Sequence, residues 1–264
     1  MGGQVKPEEL VKRLNVMDDT LFHKVMEDME VCEEVLRVFL QDEELVILES
    51  TPQKYLRNVA NRSVIADLYC ESAKKKYVVE MQKADQDDHQ RRVRYIGSNV
   101  DTRITEKGID FKDIPDIYII YLTKFDLFGK KQTVYHIDRT IRETGDVADN
   151  GFHEIYINGE IDDGSETAKL MQYICHTEGT KEAFKKLSNR VRYLKEEGKR
   201  DMCEAVEEYA KEYAKEYAAQ KAEEVERQSA AELFKNGVSL EVVLKSMRTL
   251  DPETIKKIYQ EVMG

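Results

Sequence analysis

The order in which hydrophobic periodicity changes along the chain predicts an α/β fold with an appended helical tail. Three observations carry that prediction. Apolar spacing near 3.6 residues gives way to strand-like spacing and returns, twice. A polar stretch at 72–76 separates two strand-like runs, as in a hairpin. After Gly198 the composition turns to repeated Glu, Tyr, Ala and Lys. We therefore place one domain at 1–198 and a charged helical tail at 199–264.

The first helix is expected over 21–40, where Leu21, Phe22, Val25, Met29, Val35, Leu36, Phe39 and Leu40 share a face, with a break near 29–31. Residues 46–59 and 63–71 then alternate loosely, and 77–82 is compact and rich in β-formers, which gives a meander. Residues 87–107 return to helical spacing, with Val93, Ile96, Gly97, Val100 and Ile104 on one stripe and Gly108 as the stop. Strands follow at 117–123, 133–138 and 153–158, and helices at 166–175 and 181–194.

In the tail, Glu-Tyr-Ala-Lys recurs at Glu208 and Glu212 and imperfectly at Glu216, which suits a helix with i,i+3 and i,i+4 charge contacts. Tyr209, Tyr213 and Tyr217 form a drifting stripe that reads as a packing seam. Asn236 and Gly237 end that helix. Ser239 is placed to cap a short helix, and Asp251 followed by Pro252 to open another.

Composition narrows the class. With 41% apolar and 35% charged residues the 264-residue chain is globular and long enough for a sizeable core. No apolar run approaches the roughly 20 residues of a membrane helix, and the first residues carry Lys and Glu. A cytoplasmic location away from membranes is the expectation. The four cysteines are scattered without a CxxC pair, which fits reduced thiols. The net charge of -11 opposes nucleic-acid binding by bulk electrostatics, but the stretch 201–232 contributes -6 of it. The histidines lack HExxH spacing, and neither GxSxG nor GxxxxGK[ST] occurs, so zinc-enzyme, serine-hydrolase and P-loop readings fail.

The hairpin carries the chemistry. A four-residue loop at 72–75 opposes Glu71 to Lys76, Tyr69 to Val78, Asp67 to Glu80 and Ile65 to Gln82. Asp67, Glu80 and Gln82 then share a face. Opposed carboxylates repel, and a hard divalent cation would offset the repulsion. The alternative is that Asp67 lies at an exposed edge, or that Glu80 pairs with a loop lysine.

Asp67, twelve intervening residues, and then Glu80-Met81-Gln82 at the end of an apolar strand resemble the PD-(D/E)XK nuclease signature. The segments DTLFHKVMEDM (19–29), HQRRVRYIGSNV (89–100) and GIDFKDIPDIYIIYL (108–122) narrow the likeness to the Rpn-type recombination-promoting nucleases, also described as PD-(D/E)XK family transposases. The likeness covers roughly 15–180.

The resemblance implies a restriction-endonuclease-like core, with a mixed central sheet flanked by helices, and a metal-dependent DNA endonuclease linked to recombination or mobile elements. It further implies Mg²⁺, or Mn²⁺ in its place, held by Asp67, Glu80 and the main chain of Met81, with Asp67, Glu80 and Gln82 as the catalytic set. Gln82 stands where the family has lysine, and Ala66 where it has proline. An amide orients a water but adds no positive charge. Lys24 or Lys83 could supply one, although Lys83 should point away from Gln82. Arg91 and Tyr95, four apart on the exposed side of their helix, are candidates for DNA contact beside Lys24, or else simply a solvated face. The alternative function is a catalytically weak nuclease fold acting as a DNA-binding or assembly module, with the C-terminal helices forming a homo-oligomer.

Overall fold

The structure is a computed structural model that describes residues 7–56, 63–85, 88–105, 108–176, 182–247, 250 and 252–263. Within these, the side chains of 7–8, 182, 199, 208–224, 253 and 263 are left aside. Residues 1–203 and 204–264 form two compact units, described separately below.

The first unit is α/β, built on a six-stranded mixed sheet flanked by helices. It opens with α1 (Pro7–Arg13), which the periodicity did not foresee, and then α2 (Asp19–Met26) and α3 (Met29–Leu40). The expected break has a definite cause. Asp28 takes an extended conformation and its carboxylate accepts the N–H groups of Glu30 (3.0 Å) and Val31 (3.4 Å), capping α3 so that it starts anew.

Strands β1 (Glu49–Leu56), β2 (Val64–Glu71) and β3 (Lys75–Gln82) form the expected antiparallel meander. Helix α4 (His89–Ile104) then leads to β4 (Asp116–Thr123), which runs parallel to β3. Strand β5 (Val134–Ile137) lies at the edge, antiparallel to β6 (Phe152–Asn158), and β6 is parallel to β4. The sheet order is β1-β2-β3-β4-β6-β5. The first expected strand is shorter than the apolar pattern 46–59, of which 57–59 fall outside the described residues. Central β4 buries Ile117, Ile119, Ile120, Tyr121 and Leu122, the near-continuous apolar run of a strand covered on both faces.

Helix α4 covers one face. Its stripe of Val93, Ile96 and Val100 packs on Tyr69, Val78, Ile119, Tyr121 and Tyr156. Gly97 belongs to that stripe because a β-carbon there would stand 2.3 Å from the ring of Phe152. On the other face, α2, α3, α5 (Glu166–His176) and α6 (Lys185–Glu196) pack against one another, and the first three also meet strands. A 3₁₀ turn at Glu182–Phe184 precedes α6, splitting what the sequence pattern joins.

Helix α7 spans Lys199–Lys235, starting in the first unit and continuing into the second. It ends at Gly237, whose φ of 79° is the left-handed conformation glycine accepts, with Val238 N–H on the Leu233 carbonyl (3.0 Å). The side chains of Tyr209, Tyr213 and Tyr217 lie outside the described residues. Helices α8 (Leu240–Ser246) and α9 (Pro252–Met263) follow, and Ala230, Phe234, Val243, Leu250, Ile255 and Ile258 form a small core. Ser239 holds the N-cap position of α8, but its side chain makes no capping bond. Pro252 opens α9 as expected, while Asp251 falls outside the described residues. No described helix is long and apolar enough to cross a membrane.

Candidate metal centre

The site begins with the turn. Ser72 donates its N–H to the Lys75 carbonyl (2.9 Å), so the loop is the four-residue one the spacing demands. The ladder then reads Glu71 with Lys76, Cys70 with Tyr77, Tyr69 with Val78 and Leu68 with Val79. That is the expected register, and it stops one step short of Asp67 and Glu80. There the strands part, and the Asp67 carboxylate steps into the gap, its Oδ2 accepting the Met81 N–H at 2.8 Å.

On the other side of β2 the ladder to β1 pairs Pro52 with Leu68 and Lys54 with Ala66, passing over Gln53 and Asp67. Gln53 has a φ of 51°, a left-handed residue in mid-strand. Ala66 and Tyr69, three positions apart, both join the apolar layer beneath α4, which uninterrupted alternation would forbid. The alternation therefore shifts by one residue at Asp67. This corrects the expectation that Asp67 sits squarely on one face with Glu80 and Gln82: its side chain lies at the opening between strands.

Glu80, by contrast, keeps the alternation and points toward α4. It stands beside Tyr121 across the parallel pair and is 1% exposed. Neither carboxylate oxygen accepts a hydrogen bond, and the nearest cation is the Arg92 guanidinium, 3.5 Å from Oε2. Burial pushes the Glu80 carboxyl up to about 8. The Asp67 carboxylate adds to the rise, and Arg92 opposes it.

The remaining predicted residues are placed less directly. Gln82 turns its amide N–H to the Ala84 carbonyl (3.1 Å). Lys83 leaves the Gln82 side, as expected, and pairs with Asp18 (3.1 Å) and Asp19 (3.4 Å) at the start of α2. Lys24 pairs with Glu27 (2.7 Å), and Arg91 with Asp88 (3.1 Å) in the first turn of α4. Tyr95 is half-buried, its carbonyl accepting from the Asn99 amide.

The structure thus gathers Asp67, Glu80 and Met81, and leaves Lys24 and Arg91 in ion pairs of their own. Two residues beside the carboxylates were missed. Arg92 meets Glu80, and His23 brings its Nε2, buried and without a hydrogen-bond partner, to 3.9 Å from Asp67 Oδ1. Arg92 was legible in principle, since it lies one turn before Ile96 and so flanks the buried stripe, whereas Arg91 is turned outward.

The donors suit a hard cation. Two neighbouring carboxylates, one of them buried with no hydrogen bond and only the Arg92 guanidinium beside it, are the donor chemistry Mg²⁺ takes together with waters. The Met81 carbonyl adds a third oxygen on stereochemical grounds. The Gln82 carbonyl accepts the Lys124 N–H (3.3 Å) on the β4 side, and alternation turns that of Met81 toward β2. Among the described residues no group of three or more His, Cys, Asp or Glu side chains is arranged to hold a metal, so a closed zinc-type cage is not formed. Neither a protein-family model nor a curated protein sequence matches the chain.

Proposed function

We propose that this chain is a Mg²⁺-dependent DNA endonuclease with a PD-(D/E)XK-type core of the Rpn kind, hydrolysing phosphodiester bonds in recombination or mobile-element biology. The observation that carries the reading is Glu80, a carboxylate 1% exposed whose oxygens accept no hydrogen bond and meet only the Arg92 guanidinium, beside a second carboxylate at the open end of a hairpin. Burying a carboxylate costs several kcal/mol, as an order of magnitude, unless it is protonated or its oxygens are fully paired, and one cation at 3.5 Å leaves the other Glu80 oxygen unmet.

Asp67, Glu80 and the Met81 carbonyl would hold the ion, and Mn²⁺ suits the same oxygen donors. When bound, it would polarise a phosphoryl oxygen and lower the pKa of a water. The residues themselves divide the remaining work. The Met81 N–H fixes one Asp67 oxygen, so the other is aimed. Arg92 is the positive group nearest Glu80, and it supplies charge that Gln82 cannot. Gln82 offers an amide to orient a water.

Plasmid nicking with Mg²⁺ or Mn²⁺ tests the reading. Cleavage should vanish in EDTA and in Asp67→Asn and Glu80→Gln; cleavage at the wild-type rate in both variants sinks it. A second reading, a weak nuclease fold serving DNA binding or assembly through its tail helices, draws on the engagement of Lys24 and Lys83 elsewhere. Wild-type DNA affinity without any metal-dependent cleavage would favour it.

A further inference from the structure

A cavity of about 650 Å³ lies at the far end of α4, among Arg94, Ser98, Phe111, Lys112, Arg139 and Phe152. It sits where β4 and β6 begin, whereas Glu80 is near the end of β3. Phe111, on a 3₁₀ turn just before β4, is 90% exposed. Arg139 lies over the Phe152 ring, 5.6 Å from its centre. Neither Arg94 nor Arg139 has an ion-pair partner among the described residues, while Lys112 is tied only to exposed Asp110 (3.4 Å).

The geometry points to a second nucleic-acid site here, which takes an unpaired DNA strand. Exposed Phe111 offers a face for a base, and Arg94 and Arg139 offer charge to the phosphates. Asp101 and Asp116 share the lining, so a bare phosphate would meet both signs of charge, and the aromatic ring is what makes the site suit a nucleotide. A base stacked within a duplex has no free face for Phe111.

The path to the carboxylates is short. Arg91, Arg94, Ser98 and Asp101 follow one another along the outer side of α4, and Arg92 looks over its other flank at Glu80. From Arg92 to Asp101 the axial rise is about 14 Å, and a stacked strand covers that in about four nucleotides. The inference rests on the hydrolase reading for its substrate class, but its residues are separate.

Fluorescence anisotropy in EDTA with a labelled single strand of about six nucleotides tests it. Phe111→Ala and the double variant Arg94→Gln/Arg139→Gln should each weaken binding by about tenfold or more. Phe111→Leu should fail as Phe111→Ala does, because bulk without a ring does not stack. Unchanged affinity in these variants overturns the inference. So does equal affinity for a blunt duplex, or for a free mononucleotide. The two readings fail separately: intact metal-dependent nicking with unchanged binding in Phe111→Ala removes only this site, while ring-dependent strand binding without any nicking removes only the hydrolase.

Discussion

Asp67 Oδ2 accepts the Met81 N–H at 2.8 Å, so a side chain occupies the place of a ladder rung at the point where β2 leaves β3. The contact gives Asp67 a structural duty as well as a charge, and the two can be separated. Asp67→Asn keeps an acceptor for that N–H and should hold its urea midpoint close to wild type while losing cleavage. Asp67→Ala leaves the donor unsatisfied and should lose about 1–3 kcal/mol of stability as well. Equal stability of the two variants would show that the bond carries nothing.

Glu80 links stability to pH. Its carboxyl is pushed up to about 8 from an ordinary 4.5, so in the metal-free protein the contribution is fully present below 4.5 and is lost as pH rises through 8. The Tm difference between wild type and Glu80→Gln should therefore turn in favour of the variant as pH climbs from 5 to 9, by about 3 °C or more. Mg²⁺ binds the ionised form, so it should raise the wild-type Tm more at pH 8 than at pH 5.5 and leave Glu80→Gln little changed.

Neighbouring arginines should behave differently. Arg92→Gln removes the cation 3.5 Å from Glu80 and should lower the cleavage rate at saturating DNA by about tenfold or more. Arg91→Gln, on the outer side, should leave that rate alone and reduce the slope of log affinity against log salt by about one. Single-turnover rates with binding titrations at several salt concentrations separate them.

Register follows from counting: the loop 72–75 sets every opposed pair down to Leu68 and Val79, and it brings Asp67 and Glu80 together. What counting misses is the left-handed Gln53, which has no Gly or Asn signature, and with it the shift of alternation at Asp67. Arg91 and Arg92 differ by one helical position, about 100° of rotation, and it is Arg92, one turn before Ile96 on the flank of the buried stripe, that reaches Glu80. No second histidine stands at a ligand spacing from His23, because its neighbour is Asp67, on another element. The stripe of α4 was legible throughout, Gly97 included.

Gly97 gives a test independent of chemistry. Gly97→Ala puts a methyl 2.3 Å from the Phe152 ring, and overpacking of this kind costs about 1–3 kcal/mol. Urea unfolding should show that loss, despite the better helix propensity of Ala, and Phe152→Leu in the same chain should restore part of it. A stabilised Gly97→Ala would show that the Phe152 ring yields to the added methyl at no cost.

The hairpin from β2 to β3 works as a tuning fork. Its two prongs are of equal length, from Ser72 back to Asp67 and from Lys75 on to Glu80, and the carboxylates sit at matching heights. A residue inserted in one prong slides the carboxylates past each other by about 3.3 Å and turns one of them over. Matched insertions of two residues in each prong keep the carboxylates opposed and on their own faces, whereas matched single insertions turn both of them over. The chain's tolerance for length changes is thus parity-bound in these few residues.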